Sequence, residues 1–222
     1  MLLEVPLIRL RALFLSILAA ALVLSACAPA AQATPAPAEN ADVNLQPVKD
    51  YSLTHAASLQ SEAQALAGVA DEYYTLIAAF DFDYAAAWAA RSQELSALSA
   101  QAKQRWLAAS TAYEVNEGII AGVPSLAQFD VWIDAGPSGA EDPAEAYDWT
   151  LELPDGRKLE KPGNLFHSLL EPAVWGTLPE FTGLAVDLNG DGQIVTGEAL
   201  PEAILFKAAA HALSDAAGQM QA

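Results

Sequence analysis

The fold of this chain is decided by residues 84–117, which read YAAAWAARSQELSALSAQAKQRWLAASTAYEVNE. Bulky apolar side chains recur along this stretch at helical spacing, namely Tyr84, Trp88, Leu95, Leu98, Trp106 and Tyr113. Alanine, the strongest helix former, fills many of the remaining positions. Residues 52–80 repeat the pattern, and Asp81-Phe82-Asp83 between the two stretches can cap a new helix. We therefore predict two long antiparallel helices, roughly 52–80 and 83–117, as half of a bundle.

Beyond Gly118 the sequence is more broken, with proline and glycine at short intervals. Turn signals separate segments with either helical or alternating apolar spacing. In chain order the pattern predicts a short helix over 124–133, a loop over 134–148, a small β-hairpin over 147–160, a short helix that Asn164 caps and Pro172 closes, and a last helix over 201–217. The predicted fold is mostly α, a helical bundle with one small β-hairpin and a single calcium-type loop.

The N-terminus carries an export signal. Arg9 and Arg11 precede an uncharged stretch over residues 12–26, which is too short to span a bilayer. It ends in Leu24-Ser25-Ala26-Cys27, which resembles the lipobox of bacterial lipoproteins. We therefore expect a signal peptide over residues 1–26 and lipidation of Cys27. The Ala- and Pro-rich residues 27–47 then form a tether, and residues 48–222 form the folded domain.

Charge and cysteine content limit the partners. The net charge of −18 disfavours nucleic acid and anionic lipid heads and attracts cations. Cys27 is the only cysteine, so the chain has no intramolecular disulfide. We expect an exported protein held to the cell envelope through the lipid on Cys27. That membrane would be the outer membrane in a two-membrane envelope and the cell membrane otherwise.

Residues 187–198, DLNGDGQIVTGE, match the EF-hand calcium loop. Calcium prefers oxygen ligands, and five residues can supply them: Asp187, Asn189, Asp191, Gln193 through its backbone carbonyl, and Glu198 through both carboxylate oxygens. Gly192 permits the sharp turn, and Ile194 is expected to point into the core. Residues 181–186, before the loop, look extended rather than helical. We predict one isolated calcium loop followed by one helix.

A second, scattered set of residues could hold a transition metal. Its members fall in pairs about one helical turn apart, namely Glu114 with Glu117, Asp130 with Asp134, and His167 with Glu171. Imidazole and carboxylate together suit iron and related metals. Spacing alone equally fits solvated helix faces. His55 and His211 lack comparable partners in the sequence. Nucleophile motifs, phosphate loops and the HExxH zinc motif are absent, so no catalytic residue is predicted.

Three segments resemble the imelysin family, which includes a periplasmic iron-uptake component: AKQRWLAASTAYEVNE over 102–117, DVWID over 130–134, and GNLFHSLLE over 163–171. In the last segment the histidine is two residues further from the glycine, and one residue further from the glutamate, than in the family motif Gly-x-His-x-x-Glu. The resemblance implies an exported helical bundle, iron acquisition with a membrane transporter as partner, and a metal set of Glu114, Glu117, Asp134, His167 and Glu171. A peptidase activity has also been assigned to the family.

Three functions are therefore open. The first is a membrane-anchored lipoprotein that binds calcium and takes part in iron binding or uptake. The second is a non-catalytic structural or adhesion-like module stabilised by calcium, and the third is a metallopeptidase. Convergence of Glu117, Asp134, His167 and Glu171 on one point would favour the first of these, and dispersion would favour the second.

Overall fold

Two long antiparallel helices form the frame of the protein, as the repeated apolar spacing predicts. The computed structural model describes residues 43–221. Helix α1 spans Gln46–Ala78 and helix α2 spans Tyr84–Gly122. From Leu45 onward the chain forms one compact unit. The predicted signal peptide, Cys27 and most of the predicted tether lie outside the described residues. None of the helices described over 43–221 is long and apolar enough to cross a bilayer.

Helix α1 begins earlier, and helix α2 ends later, than the sequence indicated. Helix α1 begins at Gln46, inside the predicted tether, because Pro47 is tolerated in the first turn of a helix. Helix α2 continues to Gly122 and has an irregular residue at Arg91. The turn between them places Asp81 and Phe82 at positive φ. The side chain of Asp83 then accepts a hydrogen bond from the Ala86 N–H at 3.0 Å, which is the predicted cap.

The last helix, α5 (Ala203–Gln221), packs against α1 and completes the main core. The largest fully buried side chains come from several elements and include Tyr73, Tyr113, Phe166 and Phe206. The Tyr73 hydroxyl donates to the Pro201 carbonyl at 2.8 Å, which links α1 to the residues just before α5. Pro201 lies in a strand, so the predicted start of the last helix at residue 201 was early.

Two small antiparallel sheets flank the helices. Strands β1 (Thr150–Glu152) and β2 (Lys158–Glu160) form the predicted hairpin, with Leu151 opposite Leu159. Strands β3 (Thr182–Ala185) and β4 (Ala199–Pro201) form the second sheet. The extended character before the calcium-type loop is thus confirmed. Strand β4 was not predicted, because its pairing depends on a contact across that loop.

Two π-helical segments interrupt the short helices. Helix α3 (Ala127–Asp130) continues into π1 (Val131–Ala135), and π2 (Leu165–Leu170) continues into α4 (Glu171–Trp175). The prediction that Pro172 closes the helix was wrong. Pro172 lies in the first turn of α4, and the helix continues past it to Trp175. Segments of this kind are rare and frequently occur at functional sites.

An ion-pair cluster links α1 to α5 and gives a first prediction. Both His211 Nε2 and Lys207 Nζ lie 3.0 Å from Asp71 Oδ1. Burial by itself would raise the pKa of Asp71, but the hydrogen bonds from His211 and Lys207 outweigh it and lower that pKa. A lowered carboxylate pKa stabilises the folded state above the ordinary value of 3.8, and this stabilisation is lost as pH falls through the folded-state pKa.

We expect Asp71→Asn to lower the free energy of unfolding at pH 7 by at most about 1 kcal/mol, because the pair is largely exposed. The difference from wild type should vanish at acidic pH, where Asp71 is protonated. Urea unfolding at pH 7 and at pH 2 measures this. The exposed neighbour Glu72 supplies the control, since Glu72→Gln should match wild type at both pH values. A constant difference between Asp71→Asn and wild type at the two pH values would contradict the prediction.

Candidate metal centre

Three of the predicted ligands converge at one end of α2. Glu114 on α2, Asp134 on π1 and His167 on π2 each offer a ligand atom, and these atoms lie within 4.8 Å of one another. Over residues 43–221, no other group of three or more His, Cys, Asp or Glu side chains is drawn together in this way. Glu114 and His167 are exposed and Asp134 is partly buried. An ion could therefore reach this cluster from solvent.

The imidazole of His167 is held between two carboxylates. Its Nδ1 lies 2.7 Å from Glu171 Oε2, and its Nε2 lies 3.0 Å from Asp134 Oδ1. Asp134 Oδ1 is buried, yet it has no hydrogen-bond partner, because the contact with Nε2 lies outside hydrogen-bond geometry. Metal-binding histidines usually donate their second N–H to a carboxylate, which fixes the tautomer that binds the ion. Glu171 therefore stands as an orienting partner of His167 rather than as a fourth ligand.

The electrostatics of the cluster favour a positive charge. Burial raises the pKa of Asp134, and the carboxylates of Glu117 and Asp130 act in the same direction, against the lowering effect of His167. Burial would lower the pKa of His167, but the hydrogen bond to Glu171 and the charge of Asp134 outweigh it and raise that pKa. A cation among these groups would relieve the repulsion between the carboxylates.

One buried side chain ties the two π-helical segments together. Asn164 is 6% exposed. Its Oδ1 accepts hydrogen bonds from the backbone N–H groups of His167 at 2.6 Å and Ser168 at 3.2 Å. Its Nδ2 donates to the Gly136 carbonyl at 3.0 Å, directly after π1. Asn164 thus fixes the segment that carries Asp134 relative to the segment that carries His167. The sequence predicted the cap but not the bond to Gly136.

Aromatic rings close the cluster on the core side. Trp106 contacts Phe166, His167 and Trp175, with ring centroids 5.8, 6.1 and 4.9 Å away. Trp106 and Phe166 are both buried. The closeness of an indole to His167 provides an optical reporter for events at the cluster.

The remaining predicted residues take other positions. Asp130 Oδ1 accepts a hydrogen bond from the Tyr113 hydroxyl at 2.7 Å and is outside the cluster. Glu117 is near enough to raise the pKa of Asp134 but is also outside the cluster. Of the four residues expected to converge, only Asp134 and His167 therefore belong to the cluster. The predicted lack of partners for His211 was wrong, since it contacts Asp71. Asp71 lies 140 residues away in sequence, so spacing along the chain could not show this pair.

The calcium-type loop connects β3 to β4 and folds around its own side chains. Asp187 accepts three backbone N–H groups, those of Gly190 and Asp191 on Oδ1 and that of Gly192 on Oδ2. Asn189 accepts the Asp191 N–H at 2.8 Å, and Asp191 accepts the Gln193 N–H at 2.8 Å. Gly190 and Gly192 have φ values of 78° and 85°, which permits the reversal. The turn geometry predicted from the sequence is therefore present.

The last predicted ligand of this loop is anchored in the protein. Glu198 is 8% exposed, and its carboxylate accepts the Val195 N–H at 3.1 Å. Lys103 on α2 donates to the Gly197 carbonyl at 2.6 Å and interacts electrostatically with Glu198. The carboxylates of Asp187, Asp191 and Glu198 are not drawn within 4.8 Å of one another among the described residues. Calcium binding by this loop stays a prediction.

One expectation about the loop was wrong. Ile194 does not point into the core and is 58% exposed, and Val195 is 56% exposed. The described residues contain no second loop of this kind to cover these side chains. A lone loop therefore leaves at its outer edge the apolar residue that pairing would bury.

Comparisons with protein-family models, with curated proteins and with solved structures found no match to this chain. The similarity to the imelysin family therefore remains a resemblance in sequence motifs, and the roles that it implies remain predictions.

Proposed function

We propose that this protein is a membrane-anchored extracytoplasmic lipoprotein that captures a transition-metal ion and takes part in its uptake. The observation that supports this most is the convergence of Glu114, Asp134 and His167 from three separate elements. These residues lie far apart in the sequence, so the packing of the fold brings them together. The motif Leu24-Ser25-Ala26-Cys27 supports the anchor, and a membrane transporter is the partner that the imelysin resemblance implies.

The donor set favours a first-row transition metal over calcium or magnesium. Neutral imidazole suits iron, zinc, copper and nickel, whereas calcium and magnesium prefer oxygen ligands. One imidazole with two carboxylates leaves further coordination positions for exchangeable ligands. Such an open sphere suits a protein that must take up an ion and release it again. Iron in particular follows from the imelysin resemblance.

Cobalt(II) binding tests this proposal, because its visible absorption changes when imidazole and carboxylate replace water. We expect one Co²⁺ per chain in wild type and an affinity loss on the order of 100-fold in His167→Ala, which removes a ligand. Glu171→Gln should weaken binding by about 10- to 100-fold, because it alters the partner of the ligand rather than the ligand itself.

The matched control is His211→Ala, because His211 also contacts a carboxylate but lies outside the cluster. This variant should bind Co²⁺ as wild type does. Equal Co²⁺ affinity in wild type and His167→Ala would show that the cluster is not a metal site, and the uptake proposal would then fail.

A second candidate function is a calcium-stabilised structural or adhesion-like module without catalytic activity. It is favoured by the loop over 187–198, whose turn geometry is formed and whose ends are joined by the β3–β4 pairing. The two functions are compatible, since the loop and the cluster share no residue. If the protein binds no Co²⁺ but calcium still stabilises its fold, the structural module would describe it better.

A further inference from the structure

A cleft of about 510 Å³ opens beside the cluster of Glu114, Asp134 and His167. Four segments form its walls: the loop after π1, strand β2 with the residues after it, the start of π2, and the residues before β3. His167 lines this cleft and also belongs to the cluster. A molecule in the cleft would therefore contact a residue that holds the ion.

Lys161 supplies an unpaired positive charge to the cleft. Within residues 43–221, most basic side chains already have an acceptor: Arg91, Arg105, Arg157, Lys158 and Lys207 each pair with a carboxylate, and Lys103 donates to a carbonyl. In the same part of the chain, Lys49 and Lys161 have no such pairing. The net charge of −18 repels anions at long range, so a short-range contact with an unpaired ammonium is what could hold an anion here.

The backbone at Lys161 is held in a strained conformation. Its φ is 48°, which L side chains other than Asn and Asp rarely adopt. Two hydrogen bonds fix it: the Lys161 N–H donates to the Trp149 carbonyl at 2.8 Å, and the Gly139 N–H donates to the Lys161 carbonyl at 2.9 Å. A Cβ at Gly139 would come within 3.1 Å of the Lys161 Cβ, so the absence of a side chain there leaves room for the lysine. Strain of this kind clusters at functional sites.

Three acidic residues also line the cleft and could pair with the Lys161 ammonium in place of an anionic ligand. Glu141 accepts the Ser138 N–H at 2.8 Å, and Glu160 accepts the Thr150 hydroxyl at 2.5 Å. The third acidic residue, Glu180, lies on the segment before β3. All three carboxylates keep their negative charge, and of the two lysines that line the cleft only Lys161 has no acceptor, since Lys158 pairs with Glu152.

We propose that the cleft binds a small carboxylate-bearing chelator that arrives with the metal ion. A carboxylate of the chelator pairs with Lys161, and its other oxygens fill coordination positions that Glu114, Asp134 and His167 leave open. This inference rests on the proposed metal site and names the form in which the ion is taken. The chemistry required is that of a hydroxycarboxylate, which offers several oxygens to one cation.

Citrate is the probe, added to the Co²⁺-loaded full chain in mild detergent and followed by calorimetry and by the visible bands of Co²⁺. Wild type should bind citrate and retain its cobalt, with a shift of the bands. Lys161→Ala should weaken citrate binding on the order of ten-fold, because a hydrogen bond to a charged group is lost. Its Co²⁺ affinity should stay within about two-fold of wild type, because a lost bond outside the cluster leaves the ligands in place. Lys49→Ala, the other unpaired lysine, should match wild type in both measurements.

The outcomes separate the two proposals. Citrate that strips cobalt from the protein, or that binds Lys161→Ala as well as wild type, would overturn the cleft inference and leave the metal site intact. If wild type binds no Co²⁺, the metal site fails, and the metal-free chain then decides about the cleft. If the metal-free chain binds citrate in a way that depends on Lys161 but not on Lys49, the cleft is an anion site. If the metal-free chain binds no citrate, the cleft is not an anion site.

Discussion

Asn164→Ala is expected to lower the free energy of unfolding by roughly 2–4 kcal/mol, because it removes both a helix cap and a bond to a buried carbonyl. The cap on the N–H groups of His167 and Ser168 contributes the smaller part. The larger part comes from leaving the Gly136 carbonyl without its donor in the interior. The same change should loosen π1 relative to π2, so Co²⁺ affinity should fall by about ten-fold or more, as it does when outer partners of metal ligands are removed.

Two further variants isolate the role of this residue. Asn164→Ser keeps an acceptor for the cap but cannot reach Gly136, so its stability should lie between those of wild type and Asn164→Ala. Leu66→Ala, in the core of α1, should cost about 2–5 kcal/mol without changing Co²⁺ affinity. Urea unfolding and cobalt titration of the three variants measure both quantities. If Asn164→Ala unfolds as wild type does, the Asn164 hydrogen bonds do not stabilise the fold. If it binds Co²⁺ as wild type does, they do not hold the metal ligands in place.

Calcium is expected to stabilise the folded protein by about 2.7 kcal/mol when free calcium is a hundred times its dissociation constant. The physical reason is that calcium would bind the folded loop but not the unfolded chain, and the ion would offset the negative charges of Asp187, Asp191 and Glu198. For a lone extracellular loop we expect a dissociation constant on the order of 10⁻⁵ to 10⁻³ M. Because β3 and β4 join the ends of the loop, chelation should increase amide exchange mainly over residues 182–201.

Glu198→Gln should remove most of the calcium effect, because an amide replaces a bidentate carboxylate with a single oxygen. Glu145→Gln, an exposed glutamate outside the loop, serves as the control and should respond to calcium as wild type does. Thermal unfolding of residues 43–222 in millimolar calcium and in chelator measures the effect. This fragment should begin before Gln46, since α1 starts there. Identical melting curves, together with no heat of calcium binding, would leave the loop as an acidic turn.

The sequence predicted most of the fold, because the signals for these elements are local. Apolar spacing and alanine content defined the α1–α2 hairpin, and Asp83 and Asn164 marked the starts of α2 and π2. The β1–β2 hairpin followed from a proline-aspartate-glycine turn. Within the calcium-type loop, the hydrogen bonds that Asp187, Asn189 and Asp191 accept likewise join residues no more than five apart. In each case the stabilising partners are near neighbours in the chain, so the sequence alone determined these features.

Only the tertiary structure decided which side chains meet. The pairs are all about one helical turn apart, yet Glu114, Asp134 and His167 join the cluster whereas Glu117 and Asp130 lie outside it. The choice depends on how α2, π1 and π2 pack. The sequence also did not show four other features: the bond from Asn164 to Gly136, the pairing of β4 with β3, the exposure of Ile194, and the unpaired Lys161 at the cleft. Each depends on contacts between residues far apart in the chain, which local periodicity does not encode.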